Sequence, residues 1–99
     1  MILEVATLVV RPGEESAFES TFHAAARYIA AAPGYVSHEL QRCVEVPGKY
    51  VLLVRWQTVE DHTVRFRGSA DYQSFRALVH PFYVEPPRAE HFELVTSQG

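Results

Sequence analysis

The twenty residues "WQTVEDHTVRFRGSADYQSF", at positions 56–75, decide how the second half of this chain folds. A strand-like run ends at the first of them, and two short helical patterns follow, separated by a Gly-Ser pair. Thr58 and Asp61 have the spacing of a capping box, so the first helix is predicted to begin at residue 59 and to end near residue 67. Ser69 is the predicted N-cap of the second helix, which Pro81 ends. The stretch therefore predicts one helical element split in two.

The chain begins with a predicted strand and a predicted helix. Residues 2–10, "ILEVATLVV", are apolar at both odd and even positions, which is typical of a strand buried on both faces. A helix is predicted from residue 14 to about residue 32, because four apolar residues recur there at spacings of four, three and four. These residues are Phe18, Phe22, Ala25 and Ile29.

Three further strands complete the prediction. The strands at 35–44 and 50–57 flank "VPGK", in which Pro and Gly take the central positions of a type II turn. The last strand is predicted at 91–96, "HFELVT". The order β-α-β-β-α-β predicts an α+β, ferredoxin-like fold whose four-stranded antiparallel sheet has the first and third strands at its centre. We expect a single domain over residues 1–99.

The composition narrows the class of protein. The chain is 47% hydrophobic and 21% charged, with a net charge of −3, which is typical of a globular protein and argues against nucleic-acid binding. Its one cysteine, Cys43, leaves no internal disulfide and suits a reducing compartment. The apolar N-terminus contains Glu4, lacks a basic leader and is too short to span a bilayer. We therefore expect a cytoplasmic protein that does not bind membranes.

The predicted sheet has more apolar surface than its helices can cover. In this topology both helices pack on one face, and the opposite face would be costly to leave in contact with water. We expect a homodimer in which two copies pack sheet to sheet, although loops or a terminus could cover the same face. The residues that cannot all lie under the helices are Ile2, Val5, Leu8, Val10, Val51 and Leu53.

Over residues 2–96, the order of the local patterns resembles the antibiotic biosynthesis monooxygenase family. The resemblance rests on four pieces in sequence: "VVRPGEESAFESTF", "APGYVSHEL", "VRWQTVEDHTVRFRGSADYQSF" and "PPRAEHFEL". It implies a dimeric α+β barrel made of ferredoxin-like halves. The ordered set, rather than any one piece, identifies the chain as similar to this family.

The resemblance implies a reaction class but leaves alternatives open. Studied members of the family oxidise polycyclic phenols to quinones with molecular oxygen, without flavin or metal, so no cofactor is expected. Other members are quinol oxidases, and one branch degrades haem. The residues that characterise the haem branch are absent here, since the first strand offers Ala6 and Thr7 where that branch has an Asn. A non-catalytic or stress-associated dimer that binds a small molecule stays a second hypothesis.

Oxygenation without a cofactor requires that the substrate lose a proton in a dry, aromatic-lined pocket. His62 is the candidate proton acceptor, because it shares one predicted helical face with Val59 and Phe66. The alternative is a structural histidine that bonds to the backbone. His91, beside Glu90 in a stretch that matches the family, is predicted to bind substrate.

Four aromatic residues are predicted to form the walls of a pocket for a small aromatic molecule, although residues of this kind more often belong to the core. They are Trp56, Phe66, Tyr72 and Phe75. Tyr72 differs from the others because its hydroxyl needs a partner and could reach a phenolic substrate. No two of the five histidines have metal-ligand spacing, so no metal site is expected.

Overall fold

A computed structural model describes residues 1–99 and shows one antiparallel sheet covered on one face by helices. The strands are β1 (Ile2–Val9), β2 (Tyr35–Arg42), β3 (Lys49–Trp56) and β4 (Arg88–Phe92). The helices are α1 (Glu15–Ala30), a π-helix (Asp61–Phe66), α2 (Ala70–Val79) and a short 3-10 turn (His80–Phe82). The strand order β2-β3-β1-β4 confirms the ferredoxin-like prediction, with β1 and β3 at the centre.

The core lies between the helices and the even-numbered residues of the two central strands. In the antiparallel register, Ala6 pairs with Leu52 and Leu8 pairs with Tyr50, so these side chains point to the same face. Helix α1 packs on that face through the predicted stripe, in which Phe18 and Ala25 are fully buried. Each large apolar side chain buried in this way contributes about 1.5–3 kcal/mol.

Of the six residues predicted not to fit under the helices together, Leu8 and Val10 are only 2% exposed and lie under them. The reason is strand parity, since odd and even positions of β1 point to opposite faces. The apolar side chains that the helices leave uncovered are half-buried: Leu3, Val5, Val51 and Leu53.

The last strand is also displaced from its prediction. Strand β4 begins at Arg88 and ends at Phe92, whereas the sequence predicted residues 91–96. Phe92 pairs with Leu3, near the start of β1, so the chain beyond Phe92 has almost no β1 left to pair with. Leu94 and Val95 are accordingly exposed, despite their strand-like pattern.

The turn between β2 and β3 confirms its predicted type. Gly48 has a φ of 81°, which the third position of a type II turn requires, and the Lys49 N–H donates to the Val46 carbonyl at 3.3 Å. Strand β2 ends at Arg42, two residues before the predicted limit.

The split helical element is present, and its first half has an unexpected geometry. The capping box is formed as predicted: the Asp61 N–H donates to Thr58 Oγ1 at 3.2 Å, and the Thr58 N–H donates to Asp61 Oδ2 at 3.1 Å. The helix then widens into a π-helix, in which the Arg67 N–H donates to the His62 carbonyl at 3.1 Å. Ser69 caps α2 by accepting from the Tyr72 N–H at 3.1 Å.

The second half of the element ends close to its prediction. Helix α2 ends at Val79, and Pro81 lies in the 3-10 turn that follows. Neither this element nor α1 combines the length and the apolar character that a bilayer crossing requires.

Candidate functional site

A cavity of about 320 Å³ lies between the sheet and the split helical element. All four aromatic residues predicted as walls line it, namely Trp56, Phe66, Tyr72 and Phe75. Small and aliphatic residues of the sheet, including Ala6 and Leu52, form its floor. The polar and ionisable side chains in its lining are Glu4, His62, Arg67, Tyr72, Arg76, His80 and Tyr83.

A buried carboxylate lies at the inner side of this cavity. Glu4 is only 5% exposed, although it belongs to a central strand that was predicted to have no polar face. The Trp56 Nε1–H donates to Glu4 Oε1 at 2.9 Å, and His62 Nε2 lies 3.4 Å from the same oxygen. A single even-numbered Glu in an otherwise apolar strand was the only signal in the sequence for this residue.

His62 is held on three sides. Its ring stacks on Trp56, with ring centroids 5.4 Å apart and an angle of 18° between the planes. Its Nε2 faces Glu4, and its Nδ1 lies 2.8 Å from His91 Nε2. His62 therefore bonds to side chains rather than to the backbone, unlike the structural alternative considered from the sequence.

His91 is brought to the site through His62. It lies on β4 opposite Glu4 of β1 and is half-buried, but it does not line the cavity. The structure therefore places His91 outside the cavity lining, in contact with Nδ1 of His62. The remaining histidines take no part in this group of side chains.

Burial shifts the pKa values of Glu4 and His62 in opposite directions. Burial lowers the pKa of His62 to about 3, and the nearby Arg67 and His91 act in the same direction. Burial raises the pKa of Glu4 above its usual range, although the Trp56 hydrogen bond and the charge of Arg67 oppose this. His62 is consequently a neutral imidazole at neutral pH, while Glu4 holds a proton more readily than an exposed carboxyl group does.

Arg67 is a cavity residue that the sequence did not reveal. A π-helix stacks residues five apart, which brings Arg67 to the same side as His62, whereas an α-helical spacing selects Phe66. Arg67 is exposed at the edge of the cavity, and the ion pairs of the chain are formed by other residues. Burial lowers the pKa of His91, and the positive charge of Arg67 lowers it further.

The arrangement of the acid and the two histidines does not form a metal-binding group. Glu4 and His91 lie against different nitrogens of the His62 ring, so the three side chains do not converge on one point. No group of three or more His, Cys, Asp or Glu side chains in the chain is arranged to hold a metal ion.

The fold and the site define a ferredoxin-like α+β protein with an aromatic cavity around a buried carboxylate and a neutral imidazole. Residues 1–78 match the family model described as antibiotic biosynthesis monooxygenase. The uncharacterised protein YczJ of Bacillus subtilis strain 168 is 47% identical over 93 residues, which are 94% of this chain and 98% of that protein. The chain therefore belongs to the antibiotic biosynthesis monooxygenase family.

Solved structures agree with this assignment. A Bordetella bronchiseptica protein, named for the same family, superposes with a TM-score of 0.93 at 40% identity, covering 96% of this chain and 97% of that one. SnoaB, a cofactor-independent oxygenase from Streptomyces nogalater, superposes with a TM-score of 0.83 at 21% identity, covering 97% and 94%. The likeness to SnoaB is one of fold.

Proposed function

We propose that the protein is a cofactor-independent monooxygenase or quinol oxidase that acts on a small aromatic phenol with molecular oxygen. One observation carries the proposal: aromatic side chains line a cavity in which a buried imidazole lies 3.4 Å from a buried carboxylate. In this reaction, His62 accepts the proton that the substrate loses. The substrate-binding walls are the four aromatic residues of the cavity.

The size and lining of the cavity suit a small planar molecule. Its volume of about 320 Å³ is at the lower end of the range for small-molecule sites, which is about 300–1,000 Å³. Aromatic rings can stack on a flat substrate, and a site without bulk water strengthens every polar contact made inside it. Tyr72 is half-buried at this wall, so its hydroxyl is available to a phenolic group.

The charges around the cavity favour a substrate anion. Cofactor-free oxygenation proceeds through an electron-rich anion, which must be stabilised where it forms. Arg67 supplies a positive charge that already acts on Glu4 and His62. Arg76, which donates to His80 Nδ1 at 3.4 Å, is a second cation in the lining.

We also propose that the protein works as a homodimer joined through the uncovered face of the sheet. Two copies that pack together would remove the half-buried Leu3, Val5, Val51 and Leu53 from water. At about 25 cal/mol per Å² of apolar area, burial of this face is worth several kcal/mol. The cavity lies on the other face, so dimer formation leaves it intact.

Oxygen uptake tests the enzymatic proposal. The purified protein, treated with a chelator and free of flavin, is mixed with a panel of hydroquinones and anthrones. We expect oxygen consumption by the wild type and a loss of about 100-fold or more in His62→Ala, since general acid–base catalysis contributes about 10²–10⁴-fold. His23→Ala is the matched control, because His23 is exposed on α1.

Two outcomes of this experiment would contradict the proposal. Equal rates in wild type and His62→Ala reject the role of His62. Absence of uptake with every substrate rejects the oxygenase.

A non-catalytic binding protein is the second candidate, and the low pKa of His62 favours it, because such an imidazole alone is a weak base. This candidate predicts that a planar phenol protects the protein against heat without consuming oxygen. A third candidate, haem binding, predicts a perturbed absorption band when haemin is added.

A further inference from the structure

Three polar side chains lie next to one another from the cavity to the edge of the sheet. Glu4 lines the cavity, His62 Nε2 lies 3.4 Å from its Oε1, and His62 Nδ1 lies 2.8 Å from His91 Nε2. His91 is on the edge strand β4 and is partly exposed. These contacts therefore join Glu4, inside the cavity, to His91, which water can reach.

We propose that Glu4 is the group that touches the substrate and takes its proton, and that His62 and His91 pass this proton to solvent. The inference rests on the proposed function for the class of substrate, a phenol. It goes further by assigning the first acceptor and the exit route. In this scheme His62 receives the substrate proton through Glu4 rather than directly.

The assignment of Glu4 as the first proton acceptor depends on which atoms of Glu4 and His62 already have hydrogen-bond partners. Glu4 Oε1 accepts the Trp56 hydrogen bond and faces His62, whereas no protein donor lies on Oε2. His62 Nδ1 is hydrogen-bonded to His91, and His62 Nε2 faces Glu4 Oε1 at 3.4 Å without forming a hydrogen bond to it. A phenol in the cavity can therefore reach Glu4 Oε2, which accepts no hydrogen bond from the protein, whereas His62 Nε2 already faces the carboxylate.

The proton moves from the phenol to water without forming a charged histidine. The phenol O–H bond breaks, its proton binds the Glu4 carboxylate, and the substrate is left as a phenolate. The carboxyl group turns so that its O–H faces His62 Nε2, which takes the proton as the Nδ1–H of His62 passes to His91 Nε2. His91 releases the proton on its other nitrogen to water, so each imidazole loses one proton as it gains one.

The charged and titratable groups around His62 fit such a relay. Glu4 and His91 contact it, and Arg67 is the cation that acts on it. The lowered pKa of His62 keeps the ring neutral, with a single N–H that can point to either neighbour. The raised pKa of Glu4 favours proton uptake from a substrate.

The first acceptor is tested without oxygen, by binding a nitrophenol whose anion absorbs visible light. Trp56 is the only tryptophan and lines the cavity, so quenching of its fluorescence reports binding at this site. We expect the anion band of the bound dye in wild type and its loss in Glu4→Gln. Glu60→Gln, an exposed neighbour of the π-helix, is the matched control and should behave as the wild type does.

Glu4→Gln is expected to fold, because the amide oxygen can still accept from Trp56 and the change removes a buried charge. Glu4→Asp is the second variant, and its shorter carboxylate should give a weaker anion band. The same anion band in wild type and Glu4→Gln overturns the assignment. A nitrophenol that does not quench Trp56 overturns it as well, since the site then binds no phenol.

The exit route is tested by temperature-jump relaxation of the bound dye. In His91→Phe the final absorbance should match that of the wild type, but the relaxation should be several-fold slower, and added imidazole should restore it. His23→Phe is the control, and an unchanged rate in His91→Phe overturns the exit route. If dye ionisation depends on Glu4 but the protein consumes no oxygen, the proton relay is supported and the oxygenase proposal is rejected.

Discussion

At the scale of single residues, His62 shows how position sets the chemistry of a side chain. It is buried under the split helical element, stacked on Trp56 and close to the positive charge of Arg67. Burial and charge act together, and they lower its pKa from 6.5 to about 3. The unfolded chain therefore binds a proton at His62 at a higher pH than the folded protein does.

This difference predicts how acid affects stability. Above about pH 6.5 His62 is neutral in both states and contributes no pH dependence. As the pH falls from 6.5 towards 3, only the unfolded state gains the proton, so the free energy of unfolding decreases. We expect His62→Gln to unfold at a lower pH than the wild type when acid unfolding is followed by circular dichroism.

His23→Gln controls for the loss of any histidine, because His23 is exposed on α1. It should unfold at the same pH as the wild type. If His62→Gln also does so, the pKa of His62 is not lowered by the fold.

Single residues also mark the limit of prediction from the sequence. His62 and the four aromatic walls could be found because they recur at helical spacing or end a strand, which are local patterns. Glu4 was missed because its burial depends on Trp56, a hydrogen-bond partner 52 residues away. Its place in an apolar strand was visible, but nothing nearby in the sequence specified the partner.

At the scale of elements, the loop that enters β2 supports the helix that carries His62. Gly34 has a φ of 84°, and a Cβ at this position would overlap the side chain of Asp61. Asp61 closes the capping box with Thr58, so Gly34 leaves room for the start of the π-helix. Strand entry and helix start are therefore packed against each other.

Gly34→Ala should destabilise the protein more than the backbone conformation alone explains. A left-handed conformation costs a residue with a Cβ about 1–2 kcal/mol, and the clash with Asp61 adds to this cost. Gly13→Ala is the matched control, since Gly13 has the same φ of 84° but nothing within 4 Å of the added Cβ. Urea unfolding measures the loss of stability in both variants. Equal losses would show that the clash with Asp61 is relieved without cost.

Element types were predicted more reliably than element geometry. The capping box, the N-cap at Ser69 and the type II turn are local signals, and the structure confirms each of them. The π-helix was not predicted, because the same residues are compatible with i→i+4 and i→i+5 bonding. The end of β4 depends on where β1 begins to pair, which is not a property of its own sequence.

At the scale of the whole molecule, the uncovered sheet face predicts a dimer. Light scattering should give twice the chain mass of 11.2 kDa in dilute buffer. Leu53→Lys should shift the mass towards the monomer, because it places a charge in the centre of the proposed interface. Val64→Lys, at a residue that is 64% exposed on the π-helix, is the control. A folded wild-type species of 11.2 kDa would contradict the dimer.

The central claim is that the cavity under the split helical element binds a planar phenol. Ala6 lies on the floor of this cavity, and Ala6→Ile would fill part of it, whereas Thr7→Val changes the opposite face of the same strand. The most direct test is an anaerobic fluorescence titration of Trp56 with a planar phenol. We predict saturable quenching in the wild type and in Thr7→Val, and weak or absent quenching in Ala6→Ile. Quenching that is absent in the wild type, or equal in Ala6→Ile, would contradict the claim.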